Sequence, residues 1–198
     1  MAQTYVPDDN FENELIEQGY DSVLDDSVTT ANIDTVINLD VSSLNIIDLT
    51  GIEGFISLTR LDCEGNKLTI LDLSQNTALN HLDIDANALT SLDLSLNVAL
   101  TEFDCENNQL TSLDFRNGNN TLVVDFRAIG NPNLTCINVD DAAKASVDIL
   151  SDEFKNENIV LTGQEPMKVF EMLKMLAEIM SIDENNIEFL ENHTEGHY

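Results

Sequence analysis

Basic residues are scarce in this chain. There are 8 Lys and Arg against 37 Asp and Glu, a formal charge of −29, and no basic side chain precedes Arg60. Such a balance argues against direct binding to a nucleic-acid backbone or an anionic membrane. Cysteine is also sparse, and three residues, Cys63, Cys105 and Cys136, form no disulfide framework. No apolar run is long enough to span a bilayer. P-loop, G-x-S-x-G, H-E-x-x-H and C-x-x-C motifs are missing. What remains is a 198-residue chain of ordinary hydrophobic content, 42%. That suits one domain with room for caps and excludes a disordered polyacid.

The chain is organised around Leu58 to Phe115, which reads as three aligned rows. Leu58-Thr-Arg-Leu61-Asp-Cys63-Glu-Gly-Asn66-Lys-Leu68-Thr-Ile-Leu71-Asp-Leu73 is followed by Leu79 to Leu94 and Leu100 to Phe115 with the same pattern. Leu61, Leu82 and Phe103 stand 21 residues apart. An L-x-x-L-x-L-x-x-N-x-L pattern at this period marks a leucine-rich repeat. No single coil can bury its own apolar residues, so neighbouring coils must stack. Columns Leu58/Leu79/Leu100, Leu61/Leu82/Phe103, Leu68/Leu89/Leu110 and Leu71/Leu92/Leu113 should point inward, and Cys63/Ile84/Cys105 should join them. Cys63 and Cys105 lie two coils, about 9.6 Å, apart, too far for a disulfide. Asn66, Asn87 and Asn108 form a polar column whose amides can bond the backbone where each coil turns.

The residues alternating with the inward column are Arg60, Asp62 and Glu64, then His81, Asp83 and Asp85, then Glu102, Asp104 and Glu106. They should share one exposed face of a parallel sheet. Stacked carboxylates about 4.8 Å apart repel by about 0.9 kcal/mol in bulk water and about 3.5 at an effective dielectric of 20. Asp62, Asp83 and Asp104 therefore need cations, hydrogen bonds or a partner. A second ladder, Asp72/Asp93/Asp114, lies on the other side of each coil.

These rows resemble the cysteine-containing, 21-residue repeats of bacterial internalin-like leucine-rich repeat proteins. The resemblance spans roughly Tyr5 to Asp141 and includes Tyr5-Val-Pro-Asp-Asp-Asn-Phe11 and Asp48-Leu-Thr-Gly-Ile-Glu53. It implies a surface or secreted binding module. In that family a cysteine near Cys136 can pair with a later one, but none follows here and no disulfide carries over. No signal peptide is present. Met1-Ala2-Gln3 leads straight into the family's opening motif, which implies a removed signal, an added methionine and a place outside the cytoplasm; a cytoplasmic protein that starts as written is the alternative.

The fold expected is an α/β repeat: a leucine-rich repeat solenoid with a parallel β-sheet on one face, an N-terminal helical cap and a helical C-terminal segment. Residues 1–54 read as the cap plus degenerate coils, 55–141 as the repeats and 142–198 as the C-terminal segment. Residues 7–19 suit a capping helix. Asp8 and Asp9 stand at its start, Phe11, Leu15 and Ile16 lie on one face, and Gly19 stops it. After Phe115 a turn-rich Arg116-to-Asn120 insertion breaks the register, and 120–140 read as an irregular final coil. From Pro166 a methionine-rich amphipathic helix should cap the last coil or present an adaptable surface to a partner.

The function expected is a non-catalytic module that presents the acidic repeat face, Arg60 through Glu106 as named above, to a basic protein or peptide. An intracellular inhibitor that mimics nucleic acid is the alternative. An enzyme would need His81, which has no evident nucleophile beside it. No cofactor is expected. Calcium on the aspartate ladders is the one metal the oxygen ligands suit, and a melting temperature unmoved by millimolar calcium would sink it. His193, Glu195 and His197 could chelate a transition metal, but nothing in a polar terminus fixes ligand geometry.

Overall fold

The structure is a computed structural model that describes residues 1–119, 122–139 and 160–162. The readings of a methionine-rich C-terminal helix and of a His193/Glu195/His197 group lie outside the described residues. β1 (Gln3–Tyr5) pairs antiparallel with β2 (Ser27–Thr29). Between them runs α1 (Asp9–Glu17), and α2 (Thr30–Ile33) follows β2. Five strands then stack in parallel on one side of the solenoid: β3 (Asn38–Asp40), β4 (Arg60–Asp62), β5 (His81–Asp83), β7 (Glu102–Asp104) and β9 (Asp125–Arg127). The repeat reading called for this sheet. It did not call for a second one. The L-D-L segments on the opposite side form another parallel sheet, in which β6 (Ser91–Asp93), β8 (Ser112–Phe115), β10 (Cys136–Val139) and β11 (Val160–Thr162) pair in that order.

Apolar columns fill the space between the two sheets. Leu58, Leu61, Cys63, Leu68, Leu79, Leu82, Ile84, Leu89, Leu100, Phe103, Cys105 and Leu110 are all buried. Leu92 and Leu113 are buried as well, whereas Leu71 of the same column is only half-buried. Phe103, Phe115 and Phe126 pack ring against ring, with centroids 5.5–5.7 Å apart. The final coil is less irregular than its sequence suggests. β9 pairs with β7 and β10 with β8 in continuous register, so the two-residue insertion before Asp125 is absorbed outside the strands.

α1 covers the first coil, and two buried acids fix it there. Asp8 caps the helix through Oδ1, which accepts from the Asn10 and Phe11 amides; its Oδ2 accepts from the Ile47 and Asp48 amides of the coil. Glu12 is fully buried, and its carboxylate accepts from the amides of Asp25, Asp26 and Ser27. Phe11 meets Phe55 at 6.3 Å.

Each coil leaves the first sheet through one left-handed residue. Ser43, Gly65, Ala86, Asn107 and Gly130 stand in successive coils with φ of 59°, 66°, 52°, 49° and 73°. Their amides hand the chain on to the next coil: Ser43 donates to Glu64, Gly65 to Asp85, Ala86 to Glu106 and Asn107 to Ile129. The asparagine column completes the turn. Asn108 donates to the carbonyls of Ile84, Cys105 and Glu106 and accepts from the Leu89 amide. Asn66, Asn87 and Asn131 make the same kind of bonds. A second buried ladder, Asn76, Asn97 and Asn117, runs along another corner and donates to the carbonyls of Ile52, Leu73 and Asn97 respectively.

Candidate functional site: the acidic sheet face

Register places the predicted surface residues in three columns across β4, β5 and β7. Arg60 aligns with His81 and His81 with Glu102; Asp62 aligns with Asp83 and Asp83 with Asp104. Glu64, Asp85 and Glu106 follow their strands by two residues and make the third column. All nine side chains are at least partly exposed, so the structure brings them to one face. Two members escaped the strict 21-residue rows. Asp40 extends the central ladder at the N-terminal end and Arg127 closes it at the other. Both sit in strands offset by 22 and 23 residues rather than 21.

The central ladder answers part of its own repulsion locally. Asp40, Asp62, Asp83 and Asp104 each accept from the amide two residues on, those of Ser42, Glu64, Asp85 and Glu106. Such Asx turns also end each strand. Asp72, Asp93 and Asp114 do the same on the opposite side. A structural role therefore accounts for an aspartate at these positions. It does not account for Glu64 and Glu106 beside them, while Asp85 accepts from the Asn107 side-chain amide of the next coil at 3.1 Å.

Crowding shows in the ionisation of the ladder. Burial, with the Asp83 and Asp40 carboxylates, raises Asp62, against the opposing pull of the Glu64 amide and Arg60. Glu64 is raised chiefly by Asp83. Glu106 is raised by burial and by Asp85. Asp104 is pushed up to about 6, mainly by burial, with Asp83, Glu106 and Asp85 adding to it. Arg127 leans toward Asp125 at 2.9 Å rather than Asp104 at 3.5 Å, so it relieves Asp104 weakly.

A pH dependence follows. The folded state holds the Asp104 proton more tightly than the unfolded chain, whose carboxyl titrates near 3.8. Stability from this group is fully present below about pH 4 and is lost as pH rises through about 6. Asp104→Asn keeps an oxygen for the Glu106 amide and removes the titration. It should stabilise the protein at neutral pH by on the order of 1 kcal/mol, after discounting for partial exposure. Urea titrations at pH 4 and pH 7.5 should show a smaller difference in the variant. An unchanged difference would contradict this reading.

Among the described residues His81 is bonded to a carboxylate and not to a nucleophile. Its Nδ1 lies 2.7 Å from Glu102 Oε2. Cys63 and Cys105 are buried beneath the sheet, where their thiols donate to the carbonyls of Asp83 and Arg127. Burial raises both thiols and suppresses the nucleophilic thiolate. Asp62, Glu64 and Asp83 each bring an oxygen within 4.8 Å of one another, as do Glu12, Asp21 and Asp25. These all-oxygen sets suit calcium better than a softer metal. Glu12 already satisfies three amides, and Asp62 and Asp83 each satisfy one.

No protein-family model matches the sequence. Over 73 residues, 37% of this chain, it is 40% identical to internalin J of one Listeria monocytogenes strain and 35% identical to internalin J of another. The chain spans 8% of the length of these curated relatives. The solved functional domain of InlJ from Listeria monocytogenes, described as including a cysteine ladder, is similar over 83% of this chain and 47% of that one. It has a TM-score of 0.53 at 26% identity. An InlF internalin structure from the same species reaches a TM-score of 0.54 at 17% identity, over 85% of this chain and 61% of that one, a likeness of fold alone. Cys63 and Cys105 stand here with Ile84 between them in one buried column.

Proposed function

We propose that this chain is an internalin-like leucine-rich repeat protein and a non-catalytic, exported or surface-associated module that binds a protein. We infer that the contact surface is the first sheet face: Arg60, Asp62, Glu64, His81, Asp83, Asp85, Glu102, Asp104 and Glu106, extended by Asp40. One observation carries this reading. Seven carboxylates of three adjacent coils share a face with one guanidinium, and register aligns them in columns. Partner and solenoid are drawn together by complementary potential, which acts mostly on the rate of encounter. A basic protein or peptide fits such a surface. Among the described residues no helix is long and apolar enough to cross a membrane.

The test begins with capture of partners from extracellular protein at low salt, followed by kinetics with each purified partner. Asp83→Asn, Asp85→Asn and Asp104→Asn combined should slow association by about ten-fold or more and flatten its dependence on salt. A partner that binds the triple variant as fast, with the same salt slope, would overturn the assignment. An intracellular inhibitor shaped like nucleic acid remains a separate reading. It predicts that the captured partner is a nucleic-acid-binding protein displaced by DNA or RNA.

A further inference from the structure

The two sheets do not begin together. The first runs unbroken from β3, while the second starts only at β6, so β6 is an edge strand. The coil before it, 69–74, carries Ile70 where the next two carry Ser91 and Ser112, and it forms no strand. Leu71 is half-buried there, although its column mates Leu92 and Leu113 are buried. A groove of about 270 Å³ opens between the two segments. Ile70, Leu71 and Asp72 form one wall and Ser91, Leu92 and Asp93 the other.

Three properties of the groove define its occupant. The first is backbone pairing. The Leu94 amide donates to Asp114 of β8, so the alternation of a strand turns the N–H and C=O groups of Leu92 toward β8 and those of Ser91 and Asp93 toward the groove. An edge of this kind is a template for an added strand. The second is apolar surface. Ile70 is 79% exposed and Leu96, at the end of the groove, 53% exposed. The third is charge. Asp72 and Asp93 flank the groove, and no basic residue lines it. Amide and hydroxyl bonds from Ser74 hold Asp72 below the usual carboxylate range, so it stays ionised.

We propose that the β6 edge is a second binding site, distinct from the acidic face, which takes an extended peptide of alternating basic and apolar residues as an added strand. Main-chain bonds to Ser91 and Asp93 supply the pairing. Apolar side chains meet Leu71 and Leu92, and basic ones sit between Asp72 and Asp93. The volume suits a short segment and not a folded domain.

The probe is an acetylated, amidated pentapeptide alternating Lys and Val, titrated into the isotope-labelled intact chain. Amide resonances of Ser91 and Asp93 should shift. A version of the peptide N-methylated throughout keeps every charge and side chain but cannot donate, and it should bind at least about ten-fold more weakly, the loss expected for two hydrogen bonds. Asp72→Asn with Asp93→Asn should also weaken binding, with the Asx turns retained through the asparagine oxygens. Shifts confined to the first sheet, or equal binding of the methylated peptide, would overturn the proposal. Shifts at Ser91 and Asp93 that depend on protein concentration without peptide would assign the edge to a second copy and overturn it as well.

Discussion

Asn108→Ala should destabilise the protein by about 3 kcal/mol, since a buried amide left without its acceptor costs about 1–3 kcal/mol and each further hydrogen bond lost about 0.5–1.5. Four backbone groups bond this side chain: the Leu89 amide, which would lose its acceptor, and the carbonyls of Ile84, Cys105 and Glu106, which would keep Asn87, Asn131 and the Ala86 amide as donors. They belong to two coils, so the amide holds one coil to the next as well as closing its own turn. Asn97→Ala should cost less. Its Nδ2 serves the carbonyls of Leu73 and Asn76, while its Oδ1 is buried without a donor among the described residues. Removing that oxygen relieves a polar atom already unsatisfied. Urea titrations of the two variants measure the contrast. Equal losses would mean that burial alone, and not bond count, sets the cost.

Gly130→Ala should cost about 2–3 kcal/mol, although it adds one methyl group. Part is the left-handed backbone, at φ of 73°, worth about 1–2 kcal/mol for a residue with a Cβ. The rest is a collision with the coil below. A Cβ there would lie 2.4 Å from Asn107 Oδ1, which can swing away, but also 2.9 Å from the Asn107 nitrogen, which cannot. Gly118 provides the control. Its φ is 82° and a Cβ would meet nothing within 4 Å, so Gly118→Ala should cost only the backbone part. If both variants lose the same stability, coil-to-coil approach is not the constraint at Gly130. Ala86 shows the converse: it occupies the same turn at φ of 52°.

The repeat columns were legible because one coil cannot bury its own leucines, which forces every inward position to recur. Leu61, Leu82 and Phe103 announce a strand by their alternation with Arg60, Asp62 and the residues aligned with them. α1 was legible from Asp8 and the Phe11 face. The asparagines at 76, 97 and 117 were harder to read. Each follows a repeat strand or its equivalent by two to four residues, where an asparagine in a polar corner looks like ordinary turn chemistry. Burial, visible only in the folded coil, separates them from a surface turn. The second sheet was hidden for a different reason. L-D-L reads equally as a strand or as an Asx turn, and the structure uses it as both at β6 and β8 while Leu71-Asp72-Leu73 forms no strand.

On the candidate site, the nine predicted side chains could be placed on one face because strand alternation fixes which residues look outward. Asp40 and Arg127 were missed because insertions of one and two residues shift them off the strict period. Arg127 matters to the electrostatics, since it puts a positive end on a column of four aspartates. The groove at β6 could not be read from the sequence at all. It depends on residues 69–74 forming no strand beside β6, which only the folded coil shows.

We propose that a partner docks on the aligned carboxylates of the first sheet. The most direct measurement is the association rate of a captured partner with the wild-type chain and with the Asp83/Asp85/Asp104 triple asparagine variant, across a series of salt concentrations. A steep fall in rate with salt is expected for the wild type and a slow, nearly flat response for the variant. Superimposable curves for the two proteins would contradict it.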